Sequence, residues 1–87
     1  MGGMEWVPTA HALEMLKERG ISPAWVSAVL AAPASVEPDR LDTSLQHALG
    51  RIPDHGNQVL RVVFDPSTAP ARLITVFFDR KASKVQP

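Results

Sequence analysis

The sequence predicts an α+β domain in which two N-terminal helices pack on one face of a four-stranded, mainly antiparallel sheet. Helical apolar spacing is confined to the segment before Pro33, β-branched and aromatic runs crowd the second half, and Pro, Gly, Asp and Ser punctuate the joins. Helices followed by strands, rather than alternating with them, are the order of a layered α+β domain. With 87 residues the chain has material for one core, so a single domain is expected over 1–87.

The first helix is expected over residues 10–19. Thr9 is its N-cap, and Gly20 offers a left-handed position past its end without a Cβ clash. Ala12, Leu13 and Leu16 stand at the i, i+1, i+4 spacing that turns one face to the core. Ser22 caps a second helix that starts at Pro23, where the missing N–H has no intrahelical partner to lose. Ile21 and Val26 occupy the hydrophobic-staple positions, and Val26, Val29 and Leu30 form the buried face. Pro33 ends the helix by pushing the residue before it out of the α region.

Strands follow. Residues 35–37 read as an edge strand, because Pro38 has no ladder donor. Residues 45–49 fit a helix through Leu45, Ala48 and Leu49 and a strand through Leu45, His47 and Leu49; strand is the reading adopted. Residues 59–64 and 73–78, joined through Asp65, Pro66, Ser67 and Pro70, read as an antiparallel hairpin. The second run is apolar on both faces, which places it centrally in the sheet.

Composition narrows the function. Val, Ile, Leu and Phe make up 23 of the 87 residues, enough to fold, but so short a chain has little room for a deep dry cavity. Any chemistry is expected in an open groove. No cysteine is present, which removes thiolate nucleophiles and cysteine zinc sites and fits a reducing, cytoplasmic compartment. The longest uncharged stretch, residues 20–36, is broken by two prolines, so neither a signal peptide nor a membrane span is predicted. The net charge of zero argues against a generic DNA coat protein. The charge is nevertheless unevenly spread: residues 1–43 carry three basic and six acidic side chains, and residues 44–87 the reverse. A phosphate-bearing partner would favour the second half.

RNA cleavage without a metal needs a base for the 2′-hydroxyl proton, donors for the phosphorane oxygens and an acid for the leaving 5′-oxygen. Histidine and arginine suffice for these roles. His11, in the first turn of the first helix, is either the group for proton transfer or a solvent-exposed or capping histidine. Arg61 interrupts an apolar strand and needs an anion, either a phosphate or one of Glu14, Glu18 and Asp79. Thr75 is placed to offer a hydroxyl to phosphate, or is simply a good strand former. Whether Arg61 and Thr75 share a face depends on a register that a one-residue slip would reverse.

Arg19 lies about 12 Å along the helix from His11, so the two cannot grip one phosphate unaided; it is an RNA-binding candidate, or else it holds the helix turn or pairs with an acid. Arg51, Arg80 and Lys81, with His47 and His55, are candidates for an RNA-binding rim or for ordinary solvated charge. The two histidines lack a third ligand at a recognisable spacing, so no metal and no cofactor is expected. Trp6 and Trp25 are either buried or platforms for bases.

The string running from His11 and Ala12 through Glu18, Arg19, Gly20 and Ile21 to Ser22 resembles the helix-one signature of domain-of-unknown-function family 4258. Val26, the leucine-to-proline segment ending at Pro33, the Leu-Arg-Val-Val of residues 60–63 and the Thr-Val-Phe of residues 75–77 follow in that family's order. The resemblance implies a fold similar to RelE-like and BrnT-like bacterial toxins, many of them metal-independent endoribonucleases of toxin–antitoxin systems. RNA and an antitoxin protein are the partners it implies. It departs at Met15, which stands where many relatives carry an arginine. If that arginine binds phosphate, the departure points to a weak enzyme or to a non-catalytic protein-binding module that retains the toxin-like fold. Met15, Met4 and Trp6 would then accept an amphipathic helix.

Overall fold

The protein is described here by a computed structural model covering residues 4–84. Its elements are β1 (Trp6–Pro8), α1 (Ala10–Glu18), α2 (Pro23–Ala31), β2 (Ser35–Pro38), β3 (Gln46–Ile52), a 3₁₀ turn (Pro53–His55), β4 (Gln58–Asp65), β5 (Ala71–Phe78) and α3 (Arg80–Lys84). The architecture is α+β, as the order of helices and strands predicts. Its details depart from the expectation: the sheet has five strands in the order β1-β5-β4-β3-β2 and is mixed, with β1 parallel to β5 and the other neighbours antiparallel.

The fifth strand escapes sequence reading for a physical reason. β1 is three residues long and ends in a proline, so it carries no period of its own and forms because β5 offers it an edge. α3 likewise is one short turn whose start is capped by Asp79, which accepts from the Ala82 amide at 3.0 Å.

Both predicted caps are present. The Thr9 hydroxyl accepts from the Ala12 amide at 3.1 Å, and the Ser22 hydroxyl accepts from the Ala24 amide at 3.2 Å. Gly20 adopts φ 61°, the left-handed conformation that ends α1 without a steric penalty. Leu13 is a correction: it is 44% exposed. α1 flanks β1 and β5 at the sheet margin, so its buried stripe narrows to Ala12 and Leu16, with Met15 half-buried beside them.

The core lies between the helices and one face of the sheet. Val26, Leu60, Val62, Leu73 and Val76 are its largest fully buried side chains. Burying each such side chain contributes about 1.5–3 kcal/mol. α2 crosses β3 so closely that a Cβ added at Gly50 would stand 3.2 Å from Val29 Cγ2, which reserves that position for glycine.

Register decides what the opposite face carries. Arg61 pairs with Phe77 and Leu49, and Val63 with Thr75 and His47, so all six project from the face away from α1 and α2. An irregularity at Val63/Phe64 lets β5 spend one extra residue, Ile74, opposite β4. Leu73 and Val76 therefore both reach the core while Thr75 does not.

Candidate functional site

Where β1 stops at Pro8, the chain hooks over the edge of β5. The Thr9 amide donates to the Leu73 carbonyl at 3.0 Å, and its hydroxyl donates to the Ile74 carbonyl at 3.3 Å. This hook sets the start of α1 beside the outer half of β5. His11, exposed in the first turn, reaches Thr75 there, with Nε2 3.2 Å from Oγ1. At the far end of α1, Arg19 donates from Nη1 to the Val76 carbonyl at 3.0 Å. The helix alone holds these two side chains apart; the adjacent residues Thr75 and Val76 receive both.

Thr75 and Arg19 open onto a groove of about 1080 Å³ at the C-terminal end of β5. Arg80 and Lys84 of α3 line it too, and no carboxylate among the described residues does. Phe77 and Phe78, from opposite faces of β5, also line it. His55, exposed on the 3₁₀ turn between β3 and β4, stacks on Phe78 with ring centroids 4.2 Å apart and planes 15° from parallel. Trp25 closes the pile, edge-on to Phe78 at 6.0 Å. Basic groups beside aromatic rings, with no acid among the described lining residues, form a concavity suited to a phosphate chain that carries bases.

Arg61 shares the face of Thr75 and lies one diagonal position away, because its partner Phe77 is two residues beyond Thr75. Its guanidinium is engaged. Nε and Nη2 both meet Asp79 Oδ2 at 2.8 Å, Nη1 meets Glu37 Oε1 at 3.3 Å, and Nη1 also lies 2.8 Å from His47 Nδ1. Of the anions the sequence offers for Arg61, the structure supplies Asp79, with Glu37 beside it. A guanidinium only donates, so His47 Nδ1 accepts and Nε2 carries the proton, which it donates to Asp39 Oδ1 at 2.7 Å. The result is a chain of hydrogen bonds from Asp39 through His47 and Arg61 to Asp79, laid across four of the five strands' width.

The carboxylates at both ends of this chain are held below the usual range. For Asp79 the largest cause is the hydrogen bond from the Ala82 backbone, with the Arg61 side chain and charge adding to it against the cost of burial. For Asp39 the backbone hydrogen bond from Asp42 leads, followed by the His47 side chain.

The remaining predicted residues fall in separate places. Arg51 donates from Nη1 to the Asn57 carbonyl at 2.8 Å and to the Ser83 carbonyl at 3.3 Å, so it ties the β3–β4 turn to α3. Lys81 is exposed on α3 outside the groove lining. Trp6 is half-buried and donates to the Ser27 hydroxyl at 2.9 Å, and Trp25 packs against the core. Among the described residues, no group of three or more His, Asp or Glu side chains is arranged to hold a metal, and no helix is long and apolar enough to cross a membrane. Gln58 and Lys84 belong to the groove without having been singled out in the sequence. Lys84 was visible as the last of three closely spaced cations, but Gln58 carries no signal until the β3–β4 turn folds back.

The family model for the domain of unknown function (DUF4258) matches residues 9–78, and the chain belongs to this family. A comparison with curated proteins and with solved structures finds no match.

Proposed function

We propose that this family member is a RelE-like, toxin-type endoribonuclease that cleaves RNA without a metal ion, in the groove beside Thr75. One observation carries the reading: among the described residues the groove is lined by Arg19, Arg80 and Lys84 with no carboxylate, and its Thr75 is hydrogen-bonded to His11. In this reading the His11 imidazole takes the 2′-hydroxyl proton as the 2′-oxygen attacks phosphorus. Thr75 turns its hydroxyl to a phosphate oxygen, and Arg19, with a donor left after Val76, neutralises the charge that develops. The bond to the 5′-oxygen breaks, and solvent admitted by the open groove supplies that oxygen with a proton. The products are a 2′,3′-cyclic phosphate and a free 5′-hydroxyl.

Arg61 holds the sheet face under Thr75 rather than the phosphate, since Asp79, Glu37 and His47 occupy its donors. Arg80 and Lys84 take the flanking phosphates, with Lys81 at the outer rim. The cytoplasm, where RNA and an antitoxin protein are met, is the compartment this activity requires. Incubation of the purified chain with total RNA, beside a His11→Ala control, tests the reading. Cleavage by the unaltered chain alone is expected, and cleavage that survives the substitution rejects His11 as the base.

A second reading, a non-catalytic module that docks a protein, is favoured by the exposure of Met4 (40%) ahead of β1, Val7 (44%) on β1 and Leu13 (44%) on the adjoining α1. Overproduction in a bacterial host separates the two readings. Growth arrest that depends on His11 supports the nuclease, and harmless accumulation supports the module.

A further inference from the structure

The aromatic pile in the groove has a free end. Phe78 is covered on one side by the His55 ring, and Trp25 stands beside both, edge-on to Phe78 at 6.0 Å and tilted by 55° to His55 at 5.6 Å; His55 stacks face to face on Phe78 alone and is exposed. Trp25 and Phe78 pack against the core, whereas His55 sits exposed on a solvent-facing turn. The turn is shaped to present it. Gly56 and Asn57 both adopt left-handed backbone, with φ 61° and 57°, and the Asn57 carbonyl is tied to Arg51. Gln58, the first residue after the turn, lines the same groove and carries an amide with one acceptor and two donors. Arg80 and Lys84 line it too.

We infer that this end of the groove is a nucleobase subsite, in which an unpaired RNA base continues the stack on the open face of His55 while Gln58 hydrogen-bonds its edge. The inference rests on the proposal that RNA occupies the groove and adds to it which groups sense the base. Stacking on a π-face tolerates any base, so His55 sets affinity; a side-chain amide pairs bidentately with the N6–H donor and N7 acceptor of adenine, an edge the pyrimidines lack, so Gln58 sets preference. The neighbouring cations hold the phosphates of the same strand. They carry no base information.

Calorimetric titration of the full chain with 2′-O-methyl RNA hexamers of adenine, cytosine or uracil, and with an abasic hexamer of the same backbone, tests it. These probes lack the 2′-hydroxyl and cannot be cleaved, so binding is read separately from catalysis. Base-bearing hexamers are expected to bind about tenfold tighter than the abasic one. His55→Ala should bring them down to the abasic level and leave abasic binding within about twofold, while His55→Trp should restore the difference. Gln58→Ala should level adenine with the pyrimidines. Equal binding of abasic and base-bearing probes, or a His55→Ala loss shared equally by both, overturns the subsite; an unchanged adenine preference in Gln58→Ala removes Gln58 from it. Base-dependent binding in a chain that cuts no RNA would reject the nuclease alone, and cleavage with base-independent binding would reject the subsite alone.

Discussion

Arg61 is bound by Asp79 through two donors, Nε and Nη2, which both lie 2.8 Å from Oδ2. Both side chains are largely sheltered, at 17% and 16% exposure, so neither charge is well solvated without the other. A positive charge inside an apolar strand is thereby made tolerable, and the strand keeps Leu60 and Val62 aimed at the core on its other face.

Removing either partner should therefore cost stability. Asp79→Ala leaves the Arg61 charge half-buried and uncaps α3, and a loss of about 2–4 kcal/mol is expected. Replacing both residues, as Arg61→Met with Asp79→Ala, should recover part of it. Urea denaturation curves of the two single variants and the double variant measure the coupling; additive losses would show that the pair contributes nothing.

Acid should weaken the fold through the same carboxylates. Asp39, Asp65 and Asp79 are all held below 3.8, with Asp65 held mainly by the Ser67 hydroxyl. A carboxyl depressed in the folded state contributes stability that is complete above its unfolded value and is lost as pH falls through the folded one. Unfolding midpoints should thus be flat from pH 7 to about 5 and decline as the pH passes 3.8 and below. Asp79→Asn should flatten that decline, and an unchanged acid limb would discount Asp79.

Thr75→Val keeps the β-branched shape and removes the hydroxyl that His11 meets at 3.2 Å. RNA cleavage should fall by roughly tenfold to a hundredfold, with KM little changed and the thermal midpoint within a few degrees. Thr75→Ser should retain most of the activity. A Thr75→Val variant cleaving at full rate would reduce Thr75 to a strand former.

RNA affinity should fall with salt. Three groove cations, Arg19, Arg80 and Lys84, predict a slope of log K against log salt near −2 for a single strand, and Lys84→Ala should make it shallower by about 0.7. A slope near zero would mean that the groove does not hold phosphates.

Gly50→Ala tests the closeness of α2 and β3. The added methyl meets Val29 Cγ2 at 3.2 Å, and a loss of about 1–3 kcal/mol is expected, relieved in part by Val29→Ala. Thermal melting decides; an unaffected midpoint would show that α2 shifts freely.

Local chemistry made much of this molecule legible in advance. Thr9, Gly20, Ser22 and Pro23 act within a turn of where they stand, so the bounds of α1 and α2 follow from residue type alone. The apolar runs of β4 and β5 likewise mark themselves, as does the isolation of Arg61 in one of them, whereas the segment of β3 fits a helix as well as a strand. What no local signal contains is pairing. β1 exists because β5 has an unfilled edge, and Leu13 is exposed because α1 sits at that margin. Register puts Thr75 beside His11 and delivers Arg61 to Asp79 and Glu37, and the folding back of the β3–β4 turn brings His55 and Gln58 to the groove. The sequence by itself determined the bounds of α1 and α2 and the strand character of β4 and β5, because those choices are settled by side chains within a few positions. Only the tertiary structure decided their partners, because a strand's side-chain period is two and long-range pairing alone selects the face on which each charge finds its counter-charge.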